Sequence, residues 1–252
     1  MIYLKSLFIS LLFLSTSVVF GQALTAKEII KKSEEKIRGG NQVYTEMTIE
    51  IIRPKWSREM KLKSWTLGTD YSMVLITGPT RDKGSVFLKN QKQVWGYIPK
   101  FNRITKLPPA LMSQSWMGTD LTNDDLVRES NKVDDFKYFL KKDTMIDNLS
   151  CYQIELIPNE GTDVIWGKII LFIDKVDFIT LRNESYDEDN QLVNVLKASM
   201  IKIMDGVKIA TKMEIIPIEE KGKKTIMTIE KLDVHQSLDA IFYSKQNMKR
   251  VK

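Results

Sequence analysis

From Gln42 onward the chain alternates. In "QVYTEMTIEIIR" Val43, Thr45, Met47, Ile49 and Ile51 fall on one side, and Tyr44, Glu46, Thr48 and Glu50 on the other. A period of two with one apolar side is the pattern of a strand with one buried face. "REMKLKSWTL" repeats it, with Met60, Leu62, Ser64 and Thr66 set against Lys61, Lys63, Trp65 and Leu67. "YSMVLITGP", "KGSVFLKN", "QKQVWGYIPK" and "NRITKLP" follow, each closed by turn residues. After residue 135 strand character returns in "DFKYFLKKDTMI", "SCYQIELIPN" and "GKIILFIDKV". A meander of long strands then turns at "DEDN", at Asp205–Gly206 and at "EEKGKK". Asp-Gly between two alternating runs is a hairpin signal.

Three stretches break the alternation. "TAKEIIKKSEEKIRGG" places Glu28 three residues after Thr25, the spacing of a capping box, and Ile29, Ile30, Ser33 and Ile37 on one helical face ended by Gly39 and Gly40. "PPALMSQSWMGTDLTNDD" is not strand-like, yet holds Leu111, Met112, Trp116 and Met117 among Ser, Gly and Asp; Thr122 or Asn123 then caps a helix start. "SLDAIFYSKQNMK" reads as a short helix or an extended tail that packs Ile241 and Phe242.

These elements predict a mainly β chain (α+β by count): one strongly curved, unclosed half-barrel of about eleven antiparallel strands, with an N-terminal helix and a helical insertion. A sheet that large must curl, split or close. A curled sheet has a concave face to be covered or filled, and an apolar insertion is suited to cover it. Residues 108–126 are therefore expected to form a lid, with Leu111, Met112, Trp116, Met117, Leu121 and Leu126 turned to a pocket. On the strands, Trp65, Met73, Leu75, Phe87, Trp95 and Tyr97 are the candidate lining. Large apolar groups occur on both sides of these strands, which a sheet with one wet face would not show. Twelve methionines add soft, adaptable surface.

The first residues change the picture of location. "MIYLK", the apolar "SLFISLLFLSTSVVF" and the small residues of "FGQA" follow the order of a secretory signal, and the apolar run is short for a membrane span. Residues 1–21 are read as a cleaved signal peptide, with Gly21 or Ala23 the last residue removed, and 22–252 as one domain. No cysteine follows the apolar run to take a lipid, and Cys151, the only one, lies in a strand-like run as a buried structural thiol. Export from the cytoplasm is expected. The formal charge of +6 favours anionic partners, an anionic membrane surface before nucleic acid for an exported chain. "SKQNMKRVK" is a local basic patch.

Catalytic constellations are sparse. The single histidine, His235, has no nucleophile-elbow serine beside it, and no His/Cys/carboxylate group has metal-ligand spacing. Asp124–Asp125 and Asp134–Asp135 are neighbours that point apart, better suited to helix starts and turns than to acid–base work. No catalytic residue, metal or cofactor is assigned.

The run "MVLITGPTRDKGSVFLKNQKQVWGYIPKFNRITKLPPALMSQSWMGTDLTNDDL", behind an export signal and a helix, resembles the outer membrane lipoprotein-sorting protein family, the LolA-like group. The resemblance runs over essentially the whole mature chain and is most specific at residues 73–128. It implies an unclosed half-barrel lidded by helices, and a non-enzymatic carrier of lipid or of lipoprotein acyl chains; a monomer is expected. By the same resemblance the partners are an inner-membrane exporter of the RND type and an outer-membrane acceptor. Arg53, Arg58 and Arg103 are each open as the family's cavity arginine. The alternative is a periplasmic adaptor of such an exporter with no lipid cargo.

Overall fold

A computed structural model describes residues 24–38, 42–68, 70–91, 93–123, 125, 135–162 and 164–252. The proposed signal peptide and Leu126 lie outside the described residues.

Helix α1 (Ala26–Arg38) opens the described chain. Its capping box forms as the spacing predicts: the Thr25 backbone N–H and hydroxyl both donate to Glu28 Oε2 at 2.8 Å. The bond from the Thr25 backbone holds the Glu28 carboxyl below its usual range. Fourteen strands follow: β1 (Gln42–Arg53), β2 (Trp56–Leu67), β3 (Tyr71–Gly78), β4 (Val86–Asn90), β5 (Gln93–Ile98), β6 (Arg103–Lys106), β7 (Phe136–Leu140), β8 (Thr144–Ile146), β9 (Leu149–Pro158), β10 (Lys168–Asp174), β11 (Thr180–Tyr186), β12 (Leu192–Met204), β13 (Val207–Pro217) and β14 (Lys224–Gln236).

All belong to one antiparallel sheet in the order β6-β5-β4-β3-β2-β1-β14-β13-β12-β11-β10-β9-β7, with β8 also on β9. β6 and β7 are not paired with each other, so the sheet is open as expected. Among the described residues it has fourteen strands rather than about eleven. One reason is that "DFKYFLKKDTMI" forms two strands: β7 pairs the second half of β9 and β8 its first half.

Register assigns every side chain to a face, because neighbours directly across a ladder point the same way. One row runs Arg58, Ile51, Thr225, Ile215, Leu196, Asn183, Leu171, Ile154 across eight strands. A parallel row runs Met60, Ile49, Met227, Met213, Ala198. The face carrying these rows also receives α1 and the insertion after β6, and is called the inner face below. On its β7–β10 half, Ala26, Ile29 and Ile30 of α1 bury against Phe136, Ile154, Leu156 and Leu171. On the other half, Trp116 buries against Ile49, Met60, Val74 and Phe87.

The outer face is polar along the sheet's centre, where Glu214 binds Lys212 at 2.8 Å and Lys224 at 3.4 Å, and Arg182 binds Glu184 at 2.6 Å. Towards β6 it becomes apolar, and the C-terminal segment crosses it on two short 3-10 turns, Ala240–Phe242 and Asn247–Lys249. Tyr243 and Met248 are its anchors, each 1% exposed. Ile241, expected to pack, is instead 77% exposed. Asp239 caps the first turn by accepting from the Ile241 backbone N–H, and it is Phe242 that packs, on Trp65, with ring centroids 5.6 Å apart.

Candidate functional site

The insertion is fixed to the sheet by charge as well as by burial. Trp116 is 1% exposed and meets Phe87 edge-on, with centroids 5.5 Å apart. Its indole Nε1 has no hydrogen-bond partner among the described residues, so its contribution there is apolar packing. The turn after it is closed by Trp116 N–H donating to the Leu121 carbonyl at 2.8 Å and the Ser115 hydroxyl to the Thr119 carbonyl at 2.6 Å.

Two arginines hold that turn. By strand parity Arg53 shares the inner face with Ile49 and Ile51, and Arg58 shares it with Met60 and Leu62. Arg53 donates to the Asp120 carboxylate at 3.0 Å and to the Gly118 carbonyl at 2.8 Å. Arg58 donates to the Met117 carbonyl and lies 3.7 Å from Asp82. Asp120 also accepts from the fully buried Thr225 hydroxyl at 2.7 Å. Of the three arginines left open by the sequence, these two are engaged with the insertion, whereas Arg103 is exposed on the edge strand β6. A capping box then forms at Thr122, which exchanges hydrogen bonds with Asp125.

The candidate residues divide between the two faces. Phe87 and Trp116 meet on the inner face, with Met117 at the margin of their cluster. Leu111, Met112 and Leu121 are half-buried in the insertion. Met73 and Leu75 are buried, and Trp65, Trp95 and Tyr97 partly buried, on the outer face under Tyr243 and Met248. A single pocket beneath the insertion cannot be lined by both groups. Other half-buried apolar residues share the inner face: Met47 and Met227 at the margin of the Trp116 cluster, Ile229 beside Val43, Ile209 and Leu232, and Met213 and Leu196 on β13 and β12. Near them Asn183 presents a buried Oδ1 with no hydrogen-bond partner among the described residues. Strand parity, extended from Met47 through the ladder register, is the signal that finds them.

The other candidates lie away from this strip. The exposed His235 ring is 3.7 Å from Asp205, and Cys151 is fully buried, which pushes its thiol pKa up. A small concavity of about 240 Å³ lined by Met145, Leu181 and Arg182 lies on the outer side, and one of about 400 Å³ lies between the end of α1 and Val176–Phe178. No described helix is long and apolar enough to cross a membrane.

A family model described only as an uncharacterized protein matches residues 68–250. No curated protein matches the chain. Among solved structures, a putative outer membrane lipoprotein-sorting protein domain from Vibrio parahaemolyticus is 20% identical, with a TM-score of 0.81, covering 89% of this chain and 98% of its own. A DUF1329 family protein from Desulfovibrio piger is 21% identical, with a TM-score of 0.80 over 88% of this chain and 98% of that one. A LolA superfamily protein from Nitrosomonas europaea is 20% identical, with a TM-score of 0.77 over 89% of this chain and all of the other. The resemblance to the lipoprotein-sorting group read from residues 73–128 is thus borne out at the level of fold.

Proposed function

The chain belongs to the family whose model spans residues 68–250 and carries the fold of the LolA superfamily, and from that premise we propose that it is a periplasmic carrier holding an acyl chain on its inner face. The observation that carries this reading is the half-buried apolar strip on the inner face. Met47 and Met227 flank the Trp116 cluster, and Met213, Leu196 and Ile229 continue the same face on β12 to β14, apolar yet only half-buried. A structural core would bury such residues fully, as it buries Ile29 or Ile154. Methionine's unbranched side chain and polarizable sulfur suit a surface that must accept chains of varied shape.

Burial of each CH₂ contributes about 0.8 kcal/mol, opposed by ordering of the chain and of the cover. Phe87 and the insertion residues Leu111, Met112, Trp116, Met117 and Leu121 form one wall in this proposal. The apolar group of Trp65, Met73, Leu75, Trp95 and Tyr97 serves the outer face instead. The cargo is lipid or the acyl chains of a lipoprotein, passed from an inner-membrane donor towards an outer-membrane acceptor without catalysis.

The test is purification from a bacterial periplasm without detergent, followed by solvent extraction and mass spectrometry. Stoichiometric lipid in the wild type, lost in a Leu111→Asp/Trp116→Asp variant that remains folded, supports the carrier. A well-folded, lipid-free wild type moves the weight to an adaptor that uses the same strip to bind protein.

A further inference from the structure

The chain's positive charge is unevenly placed. No Asp or Glu occurs from Lys83 to Thr119, nor from Ala240 to the C-terminus, although acidic residues are frequent elsewhere. The fold brings these two acid-free segments together at the free edge of the sheet. Lys106 of β6 and Lys245 of the C-terminal segment both lie over the Trp95 ring, at 5.9 and 4.3 Å, and Lys249 lies over Tyr97 at 5.8 Å. Lys100 and Arg103 flank the tip of the β5–β6 hairpin. All five cations are exposed, and none forms an ion pair with a described residue.

At that tip stands Phe101, 71% exposed, on the 3-10 turn Pro99–Phe101. The turn is closed by the Asn102 N–H donating to the Pro99 carbonyl, and the Tyr97 hydroxyl donates to Asn102 Oδ1 at 3.5 Å. Phe101 is thus an exposed aromatic on a fixed turn, with the Lys100 ammonium 5.9 Å over its ring.

We propose that this edge docks the protein on an anionic phospholipid bilayer, with Phe101 entering the headgroup–acyl boundary and Lys100, Arg103, Lys106, Lys245 and Lys249 meeting lipid phosphates. A bilayer offers phosphates to the cations and an apolar layer to the exposed Phe101 ring together, whereas an acidic protein segment answers the cations alone. The docking edge leads directly into the insertion, since Leu107 after β6 already bonds the Val94 carbonyl of β5. A docked molecule would therefore hold the start of its inner-face cover close to the bilayer. The inference does not depend on the carrier reading.

The experiment is co-sedimentation of the delipidated, purified protein with vesicles of phosphatidylethanolamine and phosphatidylglycerol, against vesicles of phosphatidylcholine alone. Binding to the anionic vesicles only, weakening with salt, is expected. A Lys100→Gln/Arg103→Gln/Lys106→Gln variant should lose about a hundredfold in affinity, at roughly fivefold per cation near an anionic surface. Phe101→Ser, at an exposed site where folding is not at stake, should remove the binding that survives high salt. Equal binding to both vesicle types, unchanged binding by either variant, or binding to polyglutamate as tight as to anionic vesicles overturns the proposal. Because no cargo is present, failure here leaves the lipid-extraction result untouched.

Discussion

Arg53 of β1 and Asp120 of the insertion form an ion pair at 3.0 Å, with side chains only 11% and 8% exposed. Its position matters because Asp120 also takes the Thr225 hydroxyl, which is fully buried. Removing one partner strands the other in a place water reaches poorly. Asp120→Ala is expected to cost about 3 kcal/mol in urea unfolding. Amide exchange at Trp116, whose N–H is bonded to Leu121, should quicken more than exchange in β12. Unchanged exchange at Trp116 would mean that the arginine contacts do not govern the cover.

Trp116 is expected to act by shape alone. Trp116→Ala should destabilise by about 4 kcal/mol, the cost of emptying a buried aromatic site. Trp116→Phe should cost less than about 1.5 kcal/mol, because the indole N–H has no partner to lose. Equal losses in the two variants, read by chemical denaturation, would imply a hydrogen bond made by that nitrogen.

The end of α1 should respond to acid. Lys36 and Lys208 both reach Asp177, and the hydrogen bond from Lys208 chiefly holds the Asp177 carboxyl below its ordinary value. A carboxylate depressed in the folded state adds stability that is complete above its unfolded pKa, near 4 for Asp, and disappears as pH falls through the lower folded value. Unfolding midpoints measured from pH 7 down to pH 3 should therefore fall. Asp177→Asn should be less stable at neutral pH and show a shallower acid decline. An identical acid decline in the variant would assign the loss to other depressed carboxylates such as Glu28, Glu214 and Asp233.

The C-terminal strap carries an alkaline counterpart. Burial pushes the Tyr243 phenol up to about 12, and its hydroxyl has no partner among the described residues. A phenol with a raised folded pKa keeps its full contribution below the unfolded value near 10 and loses it as pH rises towards 12. Tyr243→Phe should be as stable as wild type at pH 7 and flatter between pH 9 and 11, measured by thermal unfolding. Tyr243→Ala should lose about 3 kcal/mol at pH 7, and less against wild type above pH 10.

Alternation made the sheet legible. The side assignments of Val43 to Ile51 and of Met60 to Thr66 agree with the observed register, because a strand's period of two is fixed by its backbone. The Thr25 and Thr122 caps were legible for the same local reason. What alternation does not carry is which cover each face receives. Trp65 and Phe87 looked alike in sequence, yet one lies under Phe242 and the other under Trp116. That choice is made by segments more than a hundred residues apart for Trp65, and by the arginines at the β1–β2 turn for Phe87. The break inside residues 136–146 was hidden because both pieces continue along one partner, β9.

The most direct test of the acyl-chain strip uses two adjacent positions. Met213 faces the strip, while Lys212 points to the outer face, where it pairs with Glu214. A photo-crosslinking amino acid is placed at each in turn, the protein is irradiated in the periplasm, and any attached lipid is identified by mass spectrometry. Lipid or lipoprotein acyl chain attached at position 213 and not at 212 is the predicted result. Attachment at both positions equally, or at 212 alone, would contradict an inner-face site for the cargo.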